Sequence, residues 1–456
     1  MKRIMIAGTH SGCGKTTVTC AILAALKARN MNVAAFKCGP DYIDPMFHRK
    51  AIEVPSHNLD SLFCDDETLK YLMYENSKNA DISVVEGVMG FYDGVDGRGS
   101  AHSVSMITET PVVVVIDCKG ASESIGAVMK GFLEYKQPNM IKGFIFDRLP
   151  ERLVPRIKAI CEELKTSFYG YMPTNSFTFE SRRLGLVTAD EVRGIKEKLS
   201  ELRQLAEKNI LLDKIIMAAD VPYPQFAEPK LHIAKHRNAP IIAVAKDEAF
   251  CFIYSDNIAL LEKLGCKIEY FSPLRDKKLP ANCCGLLLSG GYPELYAEQL
   301  SQNQEMINII KTAIKSGIPT IAECGGFMYL HEKMFLADDR CFDMVGAIKG
   351  NVFATQKLQR FGYVTLDARK NCLICDKSDK IAAHEFHYWD STNCGCDFTA
   401  SKSDGRNWEC VHADNTLYAG FPHLYFYADI RIAERFAAAC AEFGEKHEKD
   451  RKYSSN

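Results

Sequence analysis

Short β-branched segments alternate with longer helical segments through the first half of the chain, and this alternation constrains the fold more than any other feature. Apolar runs at 3–7, 33–37, 82–86, 112–116 and 142–146 predict strands, and the segments between them predict helices with one apolar face. Strands that are separated by helices form a parallel sheet, because a parallel connection needs a long crossover. We therefore predict an α/β fold with a helix-covered parallel sheet in this half.

A polar stretch rich in proline divides the chain into two predicted domains, 1–235 and 236–456. Before it, apolar residues recur every three or four positions from Asp190 to Ala218, which predicts one amphipathic helix. After it, the βα pattern resumes without repeating the sequence of the first half. Strands of the second domain are predicted at 241–245, 267–271, 285–288, 319–322 and 363–366.

Composition limits the partners of the chain. Its 456 residues are 47% hydrophobic and 25% charged, and a net charge of −2 gives no basic field for nucleic acid or an anionic membrane. The longest apolar runs, such as Pro111 to Ile116, are far shorter than the roughly 20 residues of a membrane helix. The N-terminus lacks the apolar stretch of a secretory signal, so we expect a cytoplasmic protein with reduced cysteines.

One pair among the 18 cysteines, Cys372 and Cys375, has the spacing of metal ligands. Further potential ligands follow at Cys394, Cys396, His384 and His387. No second well-spaced pair of cysteines follows, so we interpret the pair as core or surface thiols and keep a structural zinc site as the alternative.

A glycine-rich turn follows the first predicted strand directly and leads into a helix, which is the context of a P-loop. The glycines can turn backbone N–H groups toward a phosphate, Lys15 can reach the β and γ phosphates, and Thr16 can bind Mg²⁺. Thr9 stands where the standard motif has its first glycine, so this P-loop is a deviant one. We predict that ATP is bound by Thr9, Gly12, Gly14, Lys15, Thr16 and Thr17.

Acidic residues follow two other strands of the same predicted sheet. Asp41 and Asp44 come after the second strand, Glu86 ends the third, and Asp93 lies in the glycine-rich stretch behind it. Because the carboxyl ends of parallel strands meet at one edge, these carboxylates are expected to face the P-loop. Each of them alone would more often be a solvated loop residue, but beside a P-loop we favour a role in metal binding or catalysis.

A cysteine lies at a strand-to-helix turn in the second domain. The predicted strand 319–322 leads into Glu323-Cys324-Gly325-Gly326 and then an apolar helical stretch. The small residues let the turn expose the side chain, and the N-terminus of the helix favours a thiolate. We predict that Cys324 is a nucleophile.

Two other segments can complete a site around this cysteine. Backbone N–H groups of Gly291, in Ser289-Gly290-Gly291, and of Gly325 are predicted to form an oxyanion hole. His423 lies far downstream, as expected of a general base that meets the cysteine only in the folded chain. A thiol nucleophile cuts amides through a thioester, and an ATP site can phosphorylate a carboxylate. The two together predict a glutamine-dependent amidotransferase that works through an acyl phosphate.

These motifs resemble those of the cobyrinic acid a,c-diamide synthase family, glutamine-dependent amidases of the cobalamin pathway. The resemblance covers nearly the whole chain. Its segments are GTxSGxGKTT from Gly8 to Thr17, FKxGPDYIDP from Phe36 to Pro45, VEGVMGxxDG from Val85 to Gly94, SGGYPE from Ser289 to Glu294, AECGGFMYL from Ala322 to Leu330, Arg360 to Tyr363, and His384 to Tyr388.

The resemblance implies an N-terminal P-loop domain similar to dethiobiotin synthetase and a C-terminal class I, triad-type glutamine amidotransferase domain. It implies ATP and glutamine as co-substrates with Mg²⁺, and a corrinoid or related tetrapyrrole carboxylate that is amidated on its a and c acetate groups. A homodimer is the one assembly that we consider. Cys324 and His423 would then be catalytic with Asp44 and Asp93, and the metal would be held by Thr16, Asp41 and Glu86.

The chain departs from the family pattern at three places. Tyr425 stands where many class I glutaminases have a glutamate two residues after the histidine, an acid that the resembled family commonly lacks too, so His423 is predicted to be less firmly oriented. Family members often have RHLGL where this chain has Arg182 to Leu186, with Arg183 in place of the histidine, and we assign Arg182 and Arg183 to binding of substrate carboxylates. Asp147 stands where relatives often have asparagine near the adenine.

Three alternatives stay open. Ni-sirohydrochlorin a,c-diamide synthase of coenzyme F430 synthesis has the same motifs and another macrocycle. Cobyric acid synthase amidates other side chains of the corrinoid. A non-enzymatic P-loop switch of the partitioning type would need no cysteine at a strand-to-helix turn.

Overall fold

The apolar runs of the first half form one parallel sheet in the computed structural model, which describes residues 1–95, 97–174, 189–233 and 239–454. Its strands are β1 (Lys2–Gly8), β2 (Val33–Cys38), β3 (Ser56–Leu59), β4 (Ile82–Glu86), β5 (Val112–Asp117), β6 (Ile141–Asp147) and β7 (Ser167–Tyr171). They are hydrogen-bonded in the order β3-β2-β4-β1-β5-β6-β7, and neighbouring strands run parallel. The two strands that were not predicted, β3 and β7, lie at the edges, where Ser, His, Asn and Gly replace the apolar run.

Helices cover this sheet and bury its apolar side chains. They are α1 (Lys15–Ala28), α2 (Ile43–Phe47), α3 (Asp66–Ser77), α4 (Ala101–Ile107), α5 (Ser124–Glu134), α6 (Val154–Glu163), α7 (Ala189–Asn209) and α8 (Leu212–Ala218). Ile4 and Ile6 of β1 and Val18, Ile22 and Leu26 of α1 are fully buried together. Packing of this apolar helix face on the sheet fixes the start of α1 at the end of β1.

The prediction of one helix from Asp190 to Ala218 is wrong in its middle. The chain leaves the helix at Ile210, which forms a β-bridge with Gly170, and Leu211 N donates to Tyr169 O at 2.8 Å. These bonds to the edge strand β7 replace helical hydrogen bonds, so the segment becomes the two helices α7 and α8.

A second parallel sheet forms the centre of the other half. Its strands are β8 (Ile241–Ala245), β10 (Lys267–Phe271), β11 (Cys283–Leu288), β13 (Thr320–Glu323), β22 (His412–Ala413) and β23 (Leu417–Gly420), and a short hairpin pairs β9 (Phe250–Phe252) with β12 (Gly290–Gly291). The sheet order is β10-β8-β11-β13-β23-β22, parallel except for the last pair. The helices here are α9 (Ser255–Lys263), α10 (Ala297–Gln302), α11 (Gln304–Lys315), α12 (Gly325–Leu330) and α13 (Arg431–Ser454).

The predicted strand 363–366 does not continue this βα pattern. It is the centre of β17 (Arg360–Ala368), which pairs antiparallel with β18 (Lys380–His387), and too few residues separate the two for a crossover helix. The antiparallel strands are β14 (Lys333–Phe335), β15 (Cys341–Asp343), β16 (Asn351–Ala354), β19 (Trp389–Ser391), β20 (Phe398–Ser401), β21 (Asn407–Cys410) and β24 (His423–Leu424), with β14 parallel to β16. Their sheets have the orders β15-β14-β16-β19 and β21-β20-β17-β18-β24.

The chain divides into the units Met1–Pro229 and Lys230–Asn456, and each contains one of the two parallel sheets. Within the described ranges, no helix has the length and apolar character required to cross a membrane.

Candidate active sites

The glycine-rich turn between β1 and α1 has the backbone of a phosphate cradle. Gly12 and Gly14 have φ angles of +81° and +94°, a left-handed conformation that glycine adopts without strain. A Cβ atom on Gly14 would lie 2.3 Å from Asp147 Oδ2, whereas one on Gly12 would meet nothing within 4 Å. Position 14 therefore requires glycine, both for its backbone conformation and because a side chain would clash with Asp147. At Gly12 the space beside the loop is open.

The predicted ATP-binding residues line this turn. Lys15 begins α1 with only 7% of its surface exposed, and its Nζ donates to His10 O at 3.4 Å across the loop. Burial lowers the pKa of Lys15. Thr17 is buried behind the loop, and Thr9 N donates to Val115 O at 3.2 Å. The ammonium group thus spans the cradle in which a phosphate would neutralise its charge.

A buried polar network joins the P-loop to the neighbouring strand ends. Thr16 Oγ1 donates to Glu86 Oε1 at 2.6 Å. Lys37 Nζ donates to the same Glu86 oxygen at 2.9 Å and to Asp44 Oδ2 at 2.5 Å. His48 Nε2 lies 3.5 Å from Glu86 Oε2. Thr16, Glu86 and Asp44, which were predicted as site residues, therefore lie together.

The carboxylates of this network have very different proton affinities. Burial raises the pKa of Asp44 to about 8 against the opposing charge of Lys37. Burial also acts to raise the pKa of Glu86, but Lys37, His48 and Thr16 together lower it well below its ordinary value. Glu86 is therefore the firmly ionised carboxylate, and Asp44 is the one able to exchange a proton near neutral pH.

Asp41 and Asp93 have local backbone partners. Asp41 Oδ1 accepts from Ile43 N at 2.8 Å and from Asp44 N at 3.2 Å at the start of α2. Its charge still helps to raise the pKa of Lys37. Asp93 is exposed, and its Oδ2 accepts from Gly90 N at 2.8 Å. The predicted substrate residues Arg182 and Arg183 lie outside the described residues.

Lys37 was not predicted from the sequence as a site residue. It is the second-to-last residue of β2, and its register partner in β4 is Glu86. The sequence did indicate that Lys37 has an acidic partner, because a lysine in an apolar strand is costly to bury without one. Only the strand order reveals that the partner is Glu86.

The donor set at the P-loop fits Mg²⁺. The Thr16 hydroxyl and the Glu86 carboxylate are hard oxygen donors, and both belong to the polar network beside the P-loop. No group of three or more His, Cys, Asp or Glu side chains able to hold a metal occurs in the described part of the chain. Mg²⁺ needs no such cage, because it keeps several waters and binds substrate phosphates.

Cys324 lies at a strained turn between β13 and α12. Its φ and ψ angles are +46° and −103°, which a residue with a side chain rarely adopts, and its N–H donates to Gly420 O at 2.8 Å. A Cβ atom on Gly326 would lie only 2.1 Å from Leu288 O, so the turn requires glycine there. Cys324 is only 6% exposed, so the prediction that the turn exposes its side chain is wrong. This geometry is that of a nucleophile elbow.

The two glycines predicted for the oxyanion hole are neighbours. A Cβ atom built on Gly325 would lie 3.0 Å from Gly291 N, and one on Gly291 would lie 2.1 Å from Ala249 O. The close approach of both backbones excludes side chains and leaves their N–H groups beside the cysteine turn.

His423 is buried on β24 and lies against Cys324. It is 3% exposed, and its register partner is His384 of β18. Burial acts to lower the pKa of His423, but the charge and hydrogen bond of Cys324 and the nearby Glu323 raise it to about 10. The site therefore favours the protonated imidazolium form of His423.

Glu323 was not predicted from the sequence as a site residue. Its Oε2 lies 3.6 Å from His423 Nδ1, and its Oε1 accepts from Leu424 N at 3.0 Å. Tyr425, at the position where other glutaminases have the acid, instead donates its hydroxyl to Asp256 Oδ2 at 3.1 Å. The sequence shows an acidic residue directly before the nucleophile. Whether the side chain of Glu323 points toward His423 depends on the pairing of β13 with β23.

The cysteine pair that had metal-ligand spacing is buried. Cys372 Sγ and Cys375 Sγ lie 3.6 Å apart. Neither belongs to a group of three or more potential metal ligands in the ranges that the structure describes.

Two family models match the chain, one in each half. The model described as the CobQ/CobB/MinD/ParA nucleotide binding domain matches residues 4–184. The model described as the CobB/CobQ-like glutamine amidotransferase domain matches residues 241–429. The first range contains the P-loop network, and the second contains Cys324 and His423.

Curated relatives are similar over nearly the full length. Cobyrinate a,c-diamide synthase of Caldanaerobacter subterraneus is 37% identical, with 97% of this chain and 99% of the relative covered. The protein of the same name from Fusobacterium nucleatum is 39% identical, with coverages of 95% and 99%. That of Methanocaldococcus jannaschii is 37% identical, with coverages of 98% and 100%.

Proposed function

Because the chain belongs to the family of cobyrinate a,c-diamide synthases and is a glutamine-hydrolysing amidoligase, we propose that it amidates the a and c acetate groups of cobyrinic acid. Glutamine would supply the nitrogen and ATP the free energy. The observation that carries this proposal is the pairing of Cys324 with His423 on a strained turn, in a chain that also has a P-loop. A switch that only binds nucleotide has no use for such a thiol.

In the first unit, the carboxylate oxygen of the substrate would attack the γ-phosphorus of ATP, giving an acyl phosphate and ADP. Carboxylate needs this step because oxide is too poor a leaving group for direct displacement by ammonia. Lys15 and the P-loop N–H groups would hold the phosphates, and Thr16 and Glu86 would hold Mg²⁺. When bound, Mg²⁺ neutralises phosphate charge. Burial raises the pKa of Asp44, so its ionised form would be a stronger base than an ordinary carboxylate and would take a proton from the attacking ammonia as phosphate leaves.

In the second unit, the thiol proton of Cys324 would pass to His423, and the thiolate would attack the amide carbon of glutamine. The N–H groups of Gly291 and Gly325 would stabilise the oxyanion. His423 would return the proton to the departing ammonia, which leaves a thioester on Cys324. Water would then hydrolyse the thioester to glutamate and regenerate the thiol.

The direct test is a comparison of substrates. Purified protein with ATP, Mg²⁺ and glutamine is offered cobyrinic acid, its metal-free analogue or Ni-sirohydrochlorin, and product masses are recorded. We expect two hydroxyl groups to be replaced by two amino groups on cobyrinic acid, with stoichiometric ADP. Amidation of Ni-sirohydrochlorin alone would replace the proposed substrate, and ATP hydrolysis without amidation of any macrocycle would refute the proposal.

We predict that the glutaminase is slow in the absence of the other substrates. The 3.6 Å between His423 Nδ1 and Glu323 Oε2 is longer than an ordinary hydrogen bond. Such contacts commonly tighten in the substrate complex, and we expect ATP with corrinoid to raise glutamate release by about tenfold or more. Rates are measured as glutamate formed, with Cys324→Ala as the blank. Equal rates with and without ATP and corrinoid would contradict this coupling.

A further inference from the structure

Glu323 combines three properties that the glutamine chemistry described above does not yet use. It directly precedes the nucleophile, it is only 5% exposed, and both of its oxygens face the segment that carries His423. A buried carboxylate is costly unless its charge is compensated. The imidazole of His423 is the group that can provide a compensating charge there.

The two carboxylate oxygens have separate partners. Oε1 accepts from Leu424 N at 3.0 Å, which anchors the backbone directly after the histidine. Oε2 lies 3.6 Å from Nδ1 and leaves Nε2 as the ring nitrogen available to the thiol. On the other side of the segment, Asn257 Nδ2 donates to Leu424 O at 2.9 Å, and Phe426 N donates to Asn257 Oδ1 at 2.8 Å. The backbone around His423 is thus held from both sides, and Glu323 also approaches the ring through Oε2.

The other ionisable groups near His423 do not provide this arrangement. His384, Glu385 and His387 of β18 interact with it electrostatically, but His384 and His387 are kept neutral because burial lowers their pKa values to about 3 and about 4. Burial raises the pKa of Glu385 to about 7, so its carboxyl is not a firm negative charge. Within the described residues, Glu323 is the acid that forms an ion pair with His423.

We infer that Glu323 is the positioning residue of the glutaminase centre, in place of the acid that other triad-type enzymes carry two residues after the histidine. This inference rests on the proposed roles of Cys324 and His423. Glu323 would keep the proton of neutral His423 on Nδ1, orient Nε2 toward the thiol and stabilise the imidazolium. Its role is one of orientation, and the proton moves between Cys324 and His423. Because Glu323 and Cys324 are adjacent, the same turn sets the nucleophile and its base.

Glu323→Gln tests this role, because it keeps the size and the oxygen that accepts from Leu424 N but removes the charge. We expect the glutamine-dependent kcat to fall about 10- to 100-fold, within the contribution of general base catalysis, while KM for glutamine and ammonia-dependent amidation stay unchanged. Alkylation of Cys324 by iodoacetamide should need a higher pH than in the wild type, because the thiolate loses a stabilised imidazolium partner.

Two further variants separate positioning from simple structural support. Glu323→Asp keeps the charge, so the wild-type pH profile of alkylation should return although the rate stays reduced. Tyr425→Phe changes the neighbouring buried side chain and should leave that profile unaltered. If the pH profile of alkylation were unshifted in Glu323→Gln, the inference would be overturned. If Cys324→Ala retained glutamine-dependent activity, the proposed function itself would be wrong.

Discussion

Cys324→Ala is expected to abolish glutamine-dependent amidation and to leave ammonia-dependent amidation near the wild-type rate. Loss of a covalent nucleophile removes the whole thioester route, so we expect glutamate release to fall by at least about 10³-fold. In the proposed mechanism, activation of the carboxylate depends on Lys15, Thr16 and Glu86, which belong to the other unit. Free ammonia can therefore bypass the loss. Both rates are measured on one preparation, with amide product quantified by mass.

A matched control is Cys341→Ala, which removes an exposed thiol of the same unit on β15 and should retain both activities. Alanine at position 324 keeps the positive φ angle of the turn without adding volume, so the melting temperature should remain close to that of the wild type. Loss of both activities in a folded Cys324→Ala protein would contradict the division of labour between the two sites. Retention of both would remove Cys324 from the mechanism.

Residues on contiguous motifs were the predictable part of these sites. The turn around Lys15 and the turn around Cys324 each have a local cause, because a buried strand must end, glycines must follow and a helix must begin. Thr16, Glu86 and Asp44 also lie together as predicted, since parallel strands bring their carboxyl ends to one edge.

Contacts that depend on strand order and side-chain direction could not be predicted from the sequence. Lys37 meets Glu86 because β2 lies beside β4, and no local pattern states that neighbour. Glu323 points toward His423 because β13 pairs with β23, which directly precedes β24. The segment 363–366 was misplaced for a related reason, since an isolated apolar alternation does not distinguish a parallel strand from an antiparallel one.

Lys15→Met is expected to remove both glutamine-dependent and ammonia-dependent amidation, the opposite pattern to Cys324→Ala. Lys15 is the P-loop cation, and loss of one preorganised donor to a developing charge costs about 10²- to 10³-fold in rate. Methionine keeps the apolar stem that packs against Gly8. The thiol site is untouched, so basal glutamate release without ATP should persist.

The stability of this variant provides an internal check. Burial lowers the pKa of Lys15, which means that the folded state without nucleotide disfavours its charge. An uncharged side chain of similar length should therefore raise or maintain the melting temperature in the absence of ATP, and the stabilisation by ATP should be lost. Lys78→Met, at an exposed lysine paired with Glu75, serves as the control and should leave amidation unchanged. Retained ammonia-dependent amidation in Lys15→Met would show that the glycine-rich turn is not where the carboxylate is activated.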